Sequence, residues 1–208
     1  MAFKNRTQAG RKLAEKLWEY KGKKDLVILG IPRGGVVIAK ELAIALACSL
    51  DVIVTKKIGA PGNSELAIGA MGAAGEPVIN KELAARVGAN EEYLKSQIAK
   101  LKTEVARRIK EYRGDKPPLD LKDKIVIITD DGLATGATME AAVEVIKQQK
   151  PKKIVVAVPV TARDSLKKIE AKVDEVVYLE APLMFFAVGQ FYEDFPQITD
   201  EEVKELLR

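Results

Sequence analysis

The sequence predicts an α/β fold in which a central, mainly parallel sheet is flanked by helices on both faces. Three observations carry that expectation. Short apolar runs alternate with segments whose apolar residues recur at helical spacing, the pattern of strand-helix-strand units. Two of those runs end in glycine-bearing loops that open directly into helices. The 208 residues are 47% hydrophobic, enough for one domain, 1–208, with a full core and a small appendage.

The elements follow in order. Residues 7–20 read as a helix and 26–31 as a strand. The next helix places Ile38, Leu42, Ala45 and Leu46 on one face, and 51–55 is the second strand. Ala60-Pro61-Gly62-Asn63-Ser64 is a turn or mobile loop, because its residues are turn formers, and 66–71 and 77–79 are short strands. Residues 91–113 form one long charged helix with Leu94, Ile98, Leu101, Val105 and Ile109 as its stripe, ended by Gly114-Asp115-Lys116-Pro117-Pro118. The stretch 81–113 is a helical insertion that serves as a hood or dimer element. A strand at 125–129, a helix bearing Met139, Ala142, Val143 and Ile146, a strand at 154–159, a helix at 164–171 and a strand at 175–179 complete the alternation.

Composition excludes several classes. The 34 basic residues exceed the 30 acidic ones by four, a charge too small and too evenly spread along the chain to demand nucleic acid. Cys48, the single cysteine, cannot make an internal disulfide and reads as a small core residue of a protein in a reducing compartment. Met1-Ala2-Phe3-Lys4-Asn5-Arg6 lacks an apolar signal core, and no apolar run approaches the ~20 residues of a membrane span. A soluble, cytoplasmic protein without a membrane partner is expected. The absence of histidine removes His-based triads and His-ligated zinc, so a metal must take oxygen ligands, as magnesium on a pyrophosphate does.

The most informative segment is Thr129-Asp130-Asp131-Gly132-Leu133-Ala134-Thr135-Gly136-Ala137-Thr138. An apolar strand precedes it and an amphipathic helix follows, so its free backbone N–H groups face whatever lies above the sheet edge. Amides suit a phosphate, whereas two adjacent carboxylates suit hydroxyl donors. A ribose 5-phosphate offers both: hydroxyls for Asp130 and Asp131, and a phosphate for the amides of Ala134, Thr135, Gly136, Ala137 and Thr138. An Asp-Gly hairpin is the alternative, and the helical period after Gly132 argues against it.

These residues resemble the phosphoribosyl pyrophosphate (PRPP) motif of type I phosphoribosyltransferases: an apolar strand, two acids, a short spacer and Thr-Gly-x-Thr. The resemblance runs from about Phe3 to the C-terminus and implies a type I phosphoribosyltransferase-like fold. It also implies that Leu133 through Thr138 bind PRPP with the two acids, and that Gly30-Ile31-Pro32-Arg33-Gly34-Gly35 is the pyrophosphate loop. In many members that loop carries a non-proline cis peptide. Arg33 would supply charge there, and Gly34 and Gly35 would admit the ligand to the backbone. Lys56 and Lys57 fall where the family has a flexible loop that closes over PRPP, within 56–65.

The segment 184–195, with four of the five phenylalanines, resembles the base-binding segment of purine members. Phe186 would stack on the base, the neighbouring Ala187 would line the pocket, and Glu193 or Asp194 would meet a metal or the pyrophosphate. One departure stands out: Pro159-Val160-Thr161-Ala162 intervenes before Arg163 where purine members place a basic residue. The implied reaction is attack of a base nitrogen, a purine as first guess, on the anomeric carbon, through an oxocarbenium-like transition state. Asp130, Asp131 and Arg33 would be the catalytic groups. Mg²⁺ would be held by Asp130, Asp131 and Glu193 mostly through PRPP and water, and a homodimer is the expected assembly. Two other classes stay open: a PRPP-sensing regulator of the same fold that transfers nothing, and a generic sugar-phosphate-binding domain.

Overall fold

The computed structural model describes residues 2–72, 77–117 and 119–208. In chain order the elements are α1 (Arg6–Lys16), β1 (Leu26–Gly30), α2 (Gly34–Leu46), β2 (Ser49–Val52), β3 (Thr55–Ala60), β4 (Asn63–Gly72), β5 (Val78–Ile79), α3 (Lys81–Arg86), α4 (Glu91–Arg113), β6 (Ile125–Thr129), α5 (Ala137–Lys147), β7 (Lys153–Val160), α6 (Arg163–Glu170), β8 (Glu175–Glu180) and α7 (Asp200–Leu206).

β1 and β6 are buried at every position, as strands covered on both faces must be. They lie at the heart of a five-stranded sheet, order β2-β1-β6-β7-β8, in which every pairing is parallel. On one face Leu13 of α1 and Ile38 and Leu42 of α2 pack with Ile28, Ile127 and Val155. On the other, Met139, Ala142, Val143 and Ile146 of α5, with Ile169 of α6, pack with Leu29, Val126, Ile128 and Val156. The chain leaves β1 for β2 on one side and β6 for β7 on the other, so the order reverses between β1 and β6. Gly30 and Thr129, their last residues, are register partners. A cleft at the carboxyl ends of two such strands is where ligands bind in open α/β sheets.

The middle of the chain corrects the sequence expectation. The expected turn is there, at Pro61-Gly62, but it joins two strands that the sequence did not suggest over 56–65: β3 and β4 form an antiparallel ribbon, with β5 as its third strand. Gly62 takes φ 71°, which glycine alone adopts without steric cost. The glycines and proline that suggest a loop instead bend the ribbon, which slips register on both sides of Gly59. The strand expected over 66–71 begins at Asn63, and Thr55, expected to close the second strand, opens the ribbon.

α4 has the predicted bounds. Its Ile98 and Leu101 pack against Ile58 and Ile68 of the ribbon, and Val105 and Tyr112 pack with Val36, Val54 and Val203. The N-terminal helix stops at Lys16 and passes through Leu17 into a short 3-10 turn, Trp18–Tyr20. Ala45 is only partly buried, while Ile38, Leu42 and Leu46 are fully so. Pro118, the last residue of the expected helix terminator, lies outside the described residues. Among the described residues no helix is long and apolar enough to cross a membrane.

Candidate active site

Buried Thr129 ends β6, and the two acids follow it at the sheet edge. The Asp131 amide donates to Asp130 Oδ1 at 2.8 Å, which orients the first carboxylate. The loop is then pinned to β7: the Leu133 amide donates to the Val160 carbonyl (2.9 Å) and the Ala162 amide to the Leu133 carbonyl (2.8 Å). Ser165 Oγ donates to the Ala134 carbonyl at 2.6 Å. Gly136, at φ 77°, turns the chain into α5 with no side-chain cap. The first-turn amides therefore have no intrahelical acceptor and face the edge, beside exposed Ala134, Thr135 and Thr138.

The second loop touches the first. The Ile31 amide donates to the Thr129 carbonyl at 2.9 Å, the Pro32-Arg33 peptide is cis, and exposed Arg33 precedes the first residue of α2. A Cβ on Gly34 would run into the Asp131 carboxylate, and one on Gly35 would lie 2.7 Å from the Thr129 carbonyl oxygen and 2.8 Å from the Asp130 Cα. Gly34 and Gly35 thus lie directly against Asp131 and Asp130, with Arg33 exposed beside them in the chain.

The aromatic segment closes the third side. The Val188 side chain stands against Gly132, and the Tyr192 hydroxyl donates to the Asp131 carbonyl at 2.6 Å. Phe185 and Phe191 pack together with ring centroids 5.0 Å apart, whereas Phe186 is 84% exposed, next to exposed Leu183 and Met184. Gln190 Oε1 accepts from the amides of Phe186 (3.0 Å) and Ala187 (3.2 Å), fixing the turn that displays the ring. The backbone of Glu193 pairs with Phe3 while its side chain is exposed. Among the described residues no three acids gather into a metal-holding cluster, so Asp130, Asp131 and Glu193 do not form a cage by themselves. Lys56 and Lys57 lie on β3 and are engaged there, with Glu104 (2.8 Å) and Glu65 (2.9 Å). A hollow of about 700 Å³ between β4, β5 and α5 touches the loop only at Thr135 and Ala137 and leaves the acid pair to one side.

Arg6 is the residue that the sequence reading missed. Its Nε donates to Asp131 Oδ2 at 2.8 Å, its Nη1 donates to the Pro196 carbonyl at 2.8 Å, and its guanidinium lies 3.7 Å from the Phe195 ring centroid. The available signal was its position at the head of the buried stripe Ala9, Gly10, Leu13, where a lone arginine is out of place unless paired.

Electrostatics set the acids apart from ordinary carboxylates. Burial, then the charge of Asp131, pushes Asp130 well above the usual range. Burial also raises Asp131, with Arg6 opposing. A carboxyl whose native pKa is raised contributes most stability below the unfolded value of about 3.9 and loses it as pH climbs through the native value. Ionised Asp130 is therefore a cost to the fold at neutral pH. Asp130→Asn, which keeps the acceptor for the Asp131 amide, is expected to raise Tm by about 2–4 °C for each kcal/mol relieved. Calorimetric melts at pH 7.5 check this, and a lowered Tm would contradict it.

A family model described as "Phosphoribosyl transferase domain" matches residues 2–196. The chain belongs to that family. The phosphoribosyl transferase domain is 40% identical over 205 residues, 99% of the chain, to the Mycobacterium tuberculosis protein "Putative phosphoribosyl transferase Rv0571c", of which it covers 46%. It thus spans about half the length of the curated relatives it matches. The crystal structure of TT1426 from Thermus thermophilus superposes with a TM-score of 0.92 at 43% identity, over 100% of this chain and 98% of that one. A shorter stretch of 57 residues, 27% of this chain and 27% of the relative, is 44% identical to a uracil phosphoribosyltransferase of Aquifex aeolicus.

Proposed function

We propose that the protein transfers the ribose 5-phosphate group of PRPP to a nitrogenous base, a purine by first preference, releasing pyrophosphate. The contact between the two loops, glycine against acid pair at register partners Gly30 and Thr129, supports this reading above all others. On this reading the loop before α2 receives the pyrophosphate, the acid pair accepts the ribose hydroxyls and the first amides of α5 take the 5-phosphate, the three features one PRPP molecule needs.

The bond from the anomeric carbon to the pyrophosphate oxygen breaks as the bond to the base nitrogen forms, the oxygen keeps the electron pair, and the proton of that nitrogen passes to the released pyrophosphate or to water. Asp130 and Asp131 hold the ribose hydroxyls, and their charge favours the cationic ribose ring of the transition state. Arg33 and the amides after Gly34 receive the leaving group, while Ala134 through Thr138 hold the 5-phosphate. Rigid placement of both reactants contributes the rest. The donor set of this site is all oxygen, which fits Mg²⁺. Asp130 and Asp131, with Glu193 through water, would hold it, and it would offset the charge of the pyrophosphate. Lys56 and Lys57 approach the ligand only if their ion pairs exchange, so the ribbon takes the role of lid. The unit proposed is the single domain 1–208, with 81–113 as its outer wall, and the assembly a homodimer.

Pyrophosphate release measured across purine and pyrimidine bases tests the reading, and the expected result is release with PRPP, Mg²⁺ and a purine that stops in excess chelator. PRPP binding without release for any base would leave a sensor in place of a transferase. Phe186→Ala is expected to raise the KM of the base with PRPP affinity unchanged; collapse of PRPP binding instead would make Phe186 part of the core.

A further inference from the structure

Three segments remote in sequence meet at a single guanidinium. Arg6 is buried and the Asp131 side chain is 15% exposed, and their ion pair uses one carboxylate oxygen, Oδ2, leaving Oδ1 for other partners. The other side of the guanidinium holds the Pro196 carbonyl and lies on Phe195, which stacks on Tyr192 at 5.0 Å, and Tyr192 returns to the Asp131 carbonyl. Gly34 closes the circuit, since a Cβ there would lie 2.9 Å from Arg6 Nε. Arg6 therefore contacts the acid pair, the pyrophosphate loop and the aromatic wall together.

We propose that Arg6 is a positioning residue for PRPP. It acts through Asp131 and touches no substrate itself. By occupying Oδ2 it turns Oδ1 toward the cleft, where a ribose hydroxyl can donate to it. Its charge also offsets one of two adjacent carboxylates that would otherwise face a polyanionic ligand across a partly dry cleft. Lysine is a poor substitute, because a single ammonium cannot serve Asp131, Pro196 and the Phe195 face with one planar group.

This inference rests on the PRPP reading, and its test separates the two. PRPP and inorganic pyrophosphate, each with Mg²⁺, are titrated calorimetrically into the wild type, Arg6→Met, Asp131→Asn and the double variant. PRPP affinity is expected to fall at least tenfold in Arg6→Met, while pyrophosphate, which does not need the ribose acceptors, binds within twofold of wild type. In the Asp131→Asn background Arg6→Met is expected to cost less than twofold more, since the two act as one unit. Equal losses for both ligands, or additive losses in the double variant, overturn the proposal and leave Arg6 a merely structural residue. A wild type that binds neither ligand overturns the PRPP reading, and the role of Arg6 with it. If Arg6→Met does not fold, Arg6→Lys carries the same comparison: a smaller but selective loss of PRPP supports the proposal, and wild-type PRPP affinity sinks it.

Discussion

Replacing both acids, Asp130→Asn with Asp131→Asn, is expected to weaken PRPP binding by about tenfold to a hundredfold or more. A hydrogen bond to a charged group contributes ~1.5–3 kcal/mol, and asparagine keeps the acceptor oxygen but loses the charge that supplies roughly half of it at each site. Melts of the single variants separate such a loss from an effect on the fold, because Asp130→Asn alone is expected to relieve a buried charge. Asp131→Asn behaves differently, since it leaves buried Arg6 without its anion. Isothermal titration of PRPP with Mg²⁺ decides the matter, and unchanged affinity in the double variant ends the assignment of these acids to the ribose.

Gly35→Ala has the second large effect. The added methyl would sit 2.7 Å from the Thr129 carbonyl oxygen and 2.8 Å from the Asp130 Cα, and these are backbone atoms at the end of the central strand of the sheet. Neither can retreat without shifting β6 against β1 or β7. Overpacking of this kind costs ~1–3 kcal/mol, several degrees of Tm in a domain of this size. Under the proposed function, pushing the loops apart also separates the loop assigned to pyrophosphate from the acids assigned to the ribose, so PRPP binding is expected to fall along with Tm. A wild-type melt and wild-type PRPP affinity together would show that the loops do not depend on this contact.

The parallel sheet and the strand-to-helix loop at 129–138 were legible in the sequence because each is written locally. An apolar run, two acids and a helical stripe sit within about twenty consecutive residues, and α4 announces itself through five apolar positions at helical spacing. The ribbon was not legible, because Gly59, Pro61, Gly62 and Asn63 carry the chemistry of a loop while forming the bend of a hairpin. The strand under Lys56 and Lys57 was hidden with it, and so were their partners: both lysines lie on β3, where Glu104 and Glu65 engage them. Arg6 was hidden for another reason. Its partner lies 125 residues away, and nothing in the local pattern names it.

That separation has a consequence for the order of assembly. The eight strands of the described residues are complete once residue 180 has been made, but the Tyr192 hydroxyl that meets Asp131, and the Phe195 ring and Pro196 carbonyl that meet Arg6 at the start of α1, come later. Closing a loop of 190 residues gains nothing until the sheet beneath has already shortened it. A chain that ends at residue 190 holds every strand of the described residues but lacks the Tyr192 hydroxyl on the Asp131 carbonyl and the Phe195 and Pro196 contacts of Arg6.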